Sequence, residues 1–412
     1  MGKIFPIKTE TSCQLKWTWN TLRLYNGISS ACHRASMEPI DISTGFNFHN
    51  TPDKISARKT MLAGEWPSGG CEYCQKIEEQ GGTSDRMFHL QIPDQSPLEL
   101  EIDVTATSVT PRIVEVYLDN VCNMSCIYCW DGFSSKIQQE NIKFGEFNNR
   151  GVVIKNNAVE HPDRETLKNK FWAWLDDNCH SLARLHILGG EPFYQQEFET
   201  ILAFLEKDSY PNLEFNIVSN LNIAHDRFKK YINRIKQLDI KRFDLTASVD
   251  CFGPEQEYVR YGLDLDLWRK NFEFLVSESW ITLNVNQTIS GLTIKTMHEL
   301  IQFINQHRQN REIGHYFGTT LMTHSFLHPE IFGKDFFKND FDKIIDIMPT
   351  NTWQQIQAKK YMNGIYMQIN SKTRNQIAIN QLGIFLDEID RRRNLNWQKT
   401  FPWLQKEIKN VV

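Results

Sequence analysis

Ile113-Val114-Glu115-Val116-Tyr117-Leu118 runs through Asp119-Asn120-Val121 into Cys122-Asn123-Met124-Ser125-Cys126-Ile127-Tyr128-Cys129. The first six residues, rich in β-branched and aromatic side chains, read as a short strand. The last eight hold three thiols. Three thiolates on one tight loop can grip a corner of an inorganic iron–sulfur cluster. A cluster with four Cys ligands is closed and suits electron transfer. Three leave one iron free, and an open position is what a catalytic metal needs. The plainer alternative is a zinc knuckle completed by a distant His or Cys.

Outward from this loop, the same pattern of strand then unusual motif repeats. Arg184–Leu188 ends in Gly189-Gly190-Glu191-Pro192, and Leu213–Val218 ends in Ser219-Asn220. Phe243–Val249, which contains Ser248, ends in Asp250. Ile281–Ile289 and Tyr316–Thr320 are further strands, and helices are expected over Glu165–Asp177, Glu197–Glu206, Asp226–Gln237 and Leu267–Ser277. Strands alternating with helices at this spacing predict βαβ units around a parallel sheet, an α/β fold. In barrel-like versions of that fold, chemistry collects at the C-terminal strand ends, which is where these motifs fall. Taken singly they have bland readings: a turn before a helix, a cap, a loop carboxylate.

The rest of the chain divides around this segment. Residues 1–110 carry Gly and Pro punctuation and little periodicity, so they read as a Cys-rich domain with a small core. Residues 111–320 hold the strands, and 321–412 form a mostly helical C-terminal region with a charged amphipathic stretch over Ile384–Arg393. Residues 131–160 read as an insertion after the first strand, and Pro93–Pro97 as a connecting loop. The formal net charge of −4 provides no basic field, which disfavours nucleic acid as a partner. Met1–Glu10 lacks a signal-peptide pattern and no run approaches membrane-spanning length, so a cytoplasmic protein without a membrane is expected. In that compartment nine cysteines point to metals rather than disulfides.

Cys71-Glu72-Tyr73-Cys74 is a second tight group, with Cys13 and Cys32 upstream. Four thiols could ligate one centre, an auxiliary iron–sulfur cluster or a structural zinc, stapling a segment of little core. Cys13 is the weakest member, with His33 as a substitute for it or for Cys32. Cys251 follows Asp250 and could face a substrate cavity as a hydrogen-atom donor or auxiliary-cluster ligand; a small apolar filler is the plain alternative. Cys179 reads as packing, and His186 as a satisfied core histidine.

Taken in order, these motifs resemble the radical S-adenosylmethionine (radical SAM) superfamily. The triplet with Tyr128 before its third cysteine resembles the superfamily's cluster signature. Gly189-Gly190-Glu191-Pro192 resembles the segment that binds the SAM amino group, Ser219 the polar residue after the next strand, and Ser248-Val249-Asp250 the ribose-side motif. Arg260, in Tyr258-Val259-Arg260-Tyr261-Gly262, resembles an arginine that pairs with the SAM carboxylate in peptide-modifying members. The resemblance implies a partial (β/α)6 TIM-like barrel with a [4Fe–4S] cluster on Cys122, Cys126 and Cys129, and SAM cleaved reductively to a 5′-deoxyadenosyl radical. It also implies hydrogen abstraction from a peptide or protein side chain, with an electron donor such as flavodoxin or ferredoxin. The alternatives are the same chemistry on a small metabolite or nucleotide precursor, or a non-catalytic metal-stabilised adaptor. Around Gly64-Glu65-Trp66-Pro67, Cys71, Cys74 and Gly81-Gly82-Thr83-Ser84-Asp85-Arg86, the chain resembles members with a twitch or SPASM-like auxiliary domain, although that domain usually follows the barrel and here precedes it.

Overall fold

The computed structural model describes residues 10–43, 45–79, 84, 86–87, 105–154, 159–320 and 324–408. Pro93–Pro97, Gly81-Gly82-Thr83 and Asp85 lie outside the described residues. Nine strands form one sheet: β1 Trp19–Arg23, β2 Ile28–Ser30, β3 Glu38–Pro39, β4 Ile113–Tyr117, β5 Arg184–Leu188, β6 Tyr210–Ser219, β7 Ile240–Ser248, β8 Ile281–Ile289 and β9 Gly314–Thr319. From β4 to β9 each strand pairs in parallel with the next in sequence. The chain is therefore a mixed α/β protein with a large, mostly parallel sheet, as its strand–helix alternation predicts.

The sheet does not stop at β4. Its other edge pairs in parallel with β1, in the register Trp19↔Ile113 to Arg23↔Tyr117, and the antiparallel strands β2 and β3 extend it further. Leu22, Leu24, Ile40 and Phe48 consequently join the main core. Only Cys13, Leu15, Trp17, Trp19, Cys32, Met61, Cys71 and Ile113 form a separate small cluster. The N-terminal segment thus shares the larger core and keeps a small one of its own.

Successive residues of a strand face opposite sides. Val114, Val116, Leu185, Ile187, Phe215, Ile217, Phe243, Leu245, Leu283 and Val285 pack into the apolar core. Between them fall Glu115, His186, Asn216, Asp244, Thr246 and Asn284, all on the other face. Parallel strands are usually apolar on both faces. A polar second face marks the side on which chemistry can be done.

The C-terminal helices Lys338–Ile347, Trp353–Asn370 and Gln376–Arg393 share a second core with Ile127, Val259 and Phe147. They therefore pack against the loop that carries the three clustered cysteines. The insertion expected over residues 131–160 contains a helix, Ser135–Phe144, and a hairpin of Phe147–Asn149 with Val152–Ile154. Among the described residues, no helix is long and apolar enough to cross a membrane.

Candidate metal and ligand site

The Cys122–Cys129 loop leaves β4 at its C-terminal end and is tied down on several sides. Ser125 and Cys126 pair antiparallel with Tyr261 and Arg260, and the Ile127 amide donates to the Val259 carbonyl at 2.9 Å. The Ser134 hydroxyl donates to the Met124 carbonyl at 2.7 Å. From the C-terminal helix, Arg393 donates to the Ser125 carbonyl at 2.8 Å while pairing with Glu140 at 2.9 Å. Cys122, Cys126 and Cys129 are all half-buried. Burial pushes the Cys129 thiol up to about 12, with Cys126 adding to the shift. Cys122 is raised in the same direction, by burial and then by Cys126. Burial raises Cys126 as well, while Arg260 and Arg393 beside it pull the other way.

The Gly-Gly-Glu motif at the end of β5 locks onto the same loop. Gly189 and Gly190 have φ of 81° and 54°, a region open to glycine without strain. A Cβ on Gly189 would lie 2.7 Å from the Tyr117 ring, and one on Gly190 2.1 Å from the Val121 carbonyl oxygen. These glycines admit the stem of the cysteine loop. Glu191 then donates its amide to Val121 at 2.9 Å. Its buried carboxylate accepts from the Ser219 hydroxyl at 2.8 Å and the Asn220 amide at 2.7 Å. Burial raises Glu191 to about 7, against the pull of those donors.

Asp250, fully buried at the end of β7, forms a third node. Arg260 donates to it in a fork, Nε to Oδ2 at 2.9 Å and Nη2 to Oδ1 at 2.8 Å. Tyr128 donates its hydroxyl to Oδ2 at 2.5 Å, and the Thr288 amide donates to Oδ1 at 2.8 Å. Each oxygen has two partners, which fills the acceptor capacity of a carboxylate. Arg260, Asp250 and Tyr128 therefore form one internal unit. The fork expected to face a ligand is turned largely inward. Ser248 is buried at the end of β7, beside Asn286 of β8 in register.

Cys251 is not brought into this group. It is fully buried, its amide donates to the Gln256 side chain at 2.9 Å, and its thiol lies beside Thr296 of the helix Ile294–Arg308. Cys179 packs in the main core. His186 sits 3.6 Å from Glu115, and burial lowers it to about 4, so it is neutral at pH 7.

Cys13, Cys32, Cys71 and Cys74, far apart in sequence, line one cavity together with Lys16 and His33. All four are buried. Burial takes the Cys13 thiol up to about 12, with Cys32 the next cause. Burial also raises Cys71, while Lys16 beside it pulls the other way. Gly70 has φ of 103°, and a Cβ there would meet the Arg34 carbonyl oxygen at 2.0 Å. The turn before Cys71 is thereby pressed onto the loop after Cys32. Arg86 closes the arrangement, paired with Glu78 at 2.5 Å and donating to the Ser12 carbonyl at 2.7 Å. His33 faces Glu115 at 3.6 Å.

Among the described residues, no three His, Cys, Asp or Glu side chains converge on one point as ligands of a single ion do. Lys16, Arg86 and Arg393 could not be found from the sequence. Each is an ordinary cation until the fold reveals what it touches.

No protein-family model and no curated protein matches this chain. Among solved structures, one described as "Structure of TYW1 with a lysine-pyruvate adduct bound" is similar at 16% identity, covering 55% of this chain and 68% of that one, with a TM-score of 0.27. So loose a likeness carries no argument about function.

Proposed function

We propose that the chain is a radical SAM enzyme whose catalytic cluster is held by Cys122, Cys126 and Cys129. The observation that carries this reading is the convergence of the cysteine loop, Glu191 and the Asp250–Arg260–Tyr128 unit at one end of six sequentially ordered parallel strands. That order is the one a partial (β/α)6 barrel requires. A [4Fe–4S] cluster held by Cys122, Cys126 and Cys129 would supply the one-electron reduction that cleaves SAM. The electron comes from an external donor such as flavodoxin or ferredoxin.

The chain's own residues serve that chemistry by position. Glu191 keeps one acceptor position, on Oε2, for an ammonium, and Ser219, Asn220 and the Phe193 amide fix its plane. Arriving positive charge would favour its ionised form. Asp250 acts as a positioning residue that holds Arg260 and Tyr128 against the cysteine loop; it has no acceptor position left for a ribose. The polar face of β4–β9 is where a substrate, a peptide or protein side chain or a small metabolite, would lie. The Cys13, Cys32, Cys71 and Cys74 cavity is an auxiliary metal site, with an iron–sulfur cluster favoured over zinc. The adaptor reading leaves the buried Glu191 and the polar sheet face without a purpose.

The test is anaerobic reconstitution with iron and sulfide, followed by reduction in the presence of SAM. 5′-Deoxyadenosine is expected. A chain that takes up iron but leaves SAM intact under reduction, or that takes up no iron, would overturn the proposal.

A further inference from the structure

Arg23 ends β1, beside Tyr117 in register and at the same end of the sheet as the cysteine loop. Its guanidinium carbon lies 4.8 Å from the Phe133 ring centroid and 5.5 Å from that of Tyr117, and those two rings stack at 4.9 Å. Phe133 in turn contacts Trp130, the residue after Cys129, at 5.1 Å. Tyr117 is the ring that Gly189 was shaped to admit. Arg23 therefore lies against the ring that touches Gly189 and the ring that touches Trp130, although it belongs to the N-terminal segment.

The cation is half-buried, and its Nε is buried without a hydrogen-bond partner among the described residues. Glu115 is the carboxylate that feels it. That carboxylate is already occupied by the Thr21 hydroxyl at 2.6 Å and flanked by His33 and His186, each at 3.6 Å. An aromatic shelf can hold a guanidinium by its face, but it leaves the buried Nε donor of Arg23 unmet. A planar fork with unmet donors is the complement of a carboxylate or a phosphate. Keeping a buried donor such as this Nε without a partner is costly.

We propose that Arg23 anchors an anionic group of the substrate, a carboxylate or a phosphate, at the edge of the site where the radical is generated. That the anion belongs to a substrate beside a radical rests on the function proposed above; anion binding at Arg23 stands apart from it. The anchor would fix one end of the molecule, leaving the rest to run over the polar face of β4–β9.

The test is calorimetric titration of the full chain, purified anaerobically, with inorganic phosphate and separately with acetate at constant ionic strength. Saturable binding is expected in the wild type, weakened about ten- to a hundredfold in Arg23→Gln. Arg23→Lys keeps the charge but loses the fork, so it too should bind more weakly than wild type. Binding of phosphate alone assigns a phosphorylated substrate; binding of acetate alone assigns a carboxylate. Equal affinity in wild type and Arg23→Gln, or no saturable binding of either anion, overturns the proposal. If circular dichroism shows Arg23→Gln unfolded, unchanged affinity in Arg23→Lys overturns it instead. SAM cleavage assayed in parallel separates the two ideas. Cleavage without anion binding removes the anchor alone, and anion binding without cleavage removes the radical reading alone.

Discussion

The two cysteine groups solve the problem of collecting thiols in opposite ways. Cys122, Cys126 and Cys129 come from one loop, half-exposed, and the rest of the chain is spent on holding that loop still. Cys13, Cys32, Cys71 and Cys74 come from three separate segments, all buried, and meet only because the fold brings them together. A local triplet can exist before the fold is complete and leaves one side open to a reactant. A dispersed quartet closes a loop of chain and leaves nothing open. The first arrangement suits chemistry, and the second suits cross-linking the N-terminal segment. The difference also explains why the first group reads so plainly in a sequence and the second does not.

Iron content is the strongest way to break this contrast. Replacing Cys122, Cys126 and Cys129 by Ala should abolish SAM cleavage and remove about four irons, leaving the other site loaded. Replacing Cys71 and Cys74 by Ser should leave those irons in place and instead lower the Tm by about 4 °C, the shift expected from several kcal/mol of lost metal-linked folding energy in a chain of this length. Equal stability losses in the two variants would erase the distinction.

The next effect concerns the clamp. Asp250→Asn leaves the buried Arg260 with no opposite charge, which should cost about 3–5 kcal/mol in denaturant unfolding. Glu191 sharpens the picture through pH. Its folded pKa, about 7, lies above the unfolded value of 4.5. The folded chain therefore holds this proton where the unfolded chain has lost it. Stability from Glu191 is full below 4.5 and falls as pH rises to 7, by about 3 kcal/mol. Urea midpoints measured before reconstitution should show that decline in wild type and not in Glu191→Gln. The smallest effect is expected from Arg393→Ala, which releases the loop from the C-terminal helix at about 2 kcal/mol.

How much of this could be read from the sequence depends on how local each signal is. Strands β5 and β8 appear in full as apolar or alternating runs, because pairing on both edges and a packed face demand such residues. β1, Trp-Asn-Thr-Leu-Arg, carries no such run, and its partner lies beyond residue 110, so its place in the sheet is not legible. Glu191 and Ser219 stand out by motif, and the structure joins them directly. Asp250 and Arg260 also stand out, but as two separate ligand contacts. That they satisfy each other is a fact of three dimensions, since ten residues of helix and turn bring them face to face. The C-terminal region gave no functional signal at all. Its contribution is a shared core with Ile127 and Val259, the Arg393 guanidinium on the Ser125 carbonyl and Asp390 accepting from the Tyr258 hydroxyl.

The parallel pairing of β1 with β4 sets an order of events during synthesis. As the chain leaves the ribosome, Trp19–Arg23 emerge long before Ile113–Tyr117 exist to receive them. Cys13 and Cys32 emerge without the sheet edge that will hold them. Such non-local pairing is slow and leaves strand edges open until it is made. The four thiols of the N-terminal group can therefore meet only after that pairing is made, whereas Cys122, Cys126 and Cys129 leave the ribosome together.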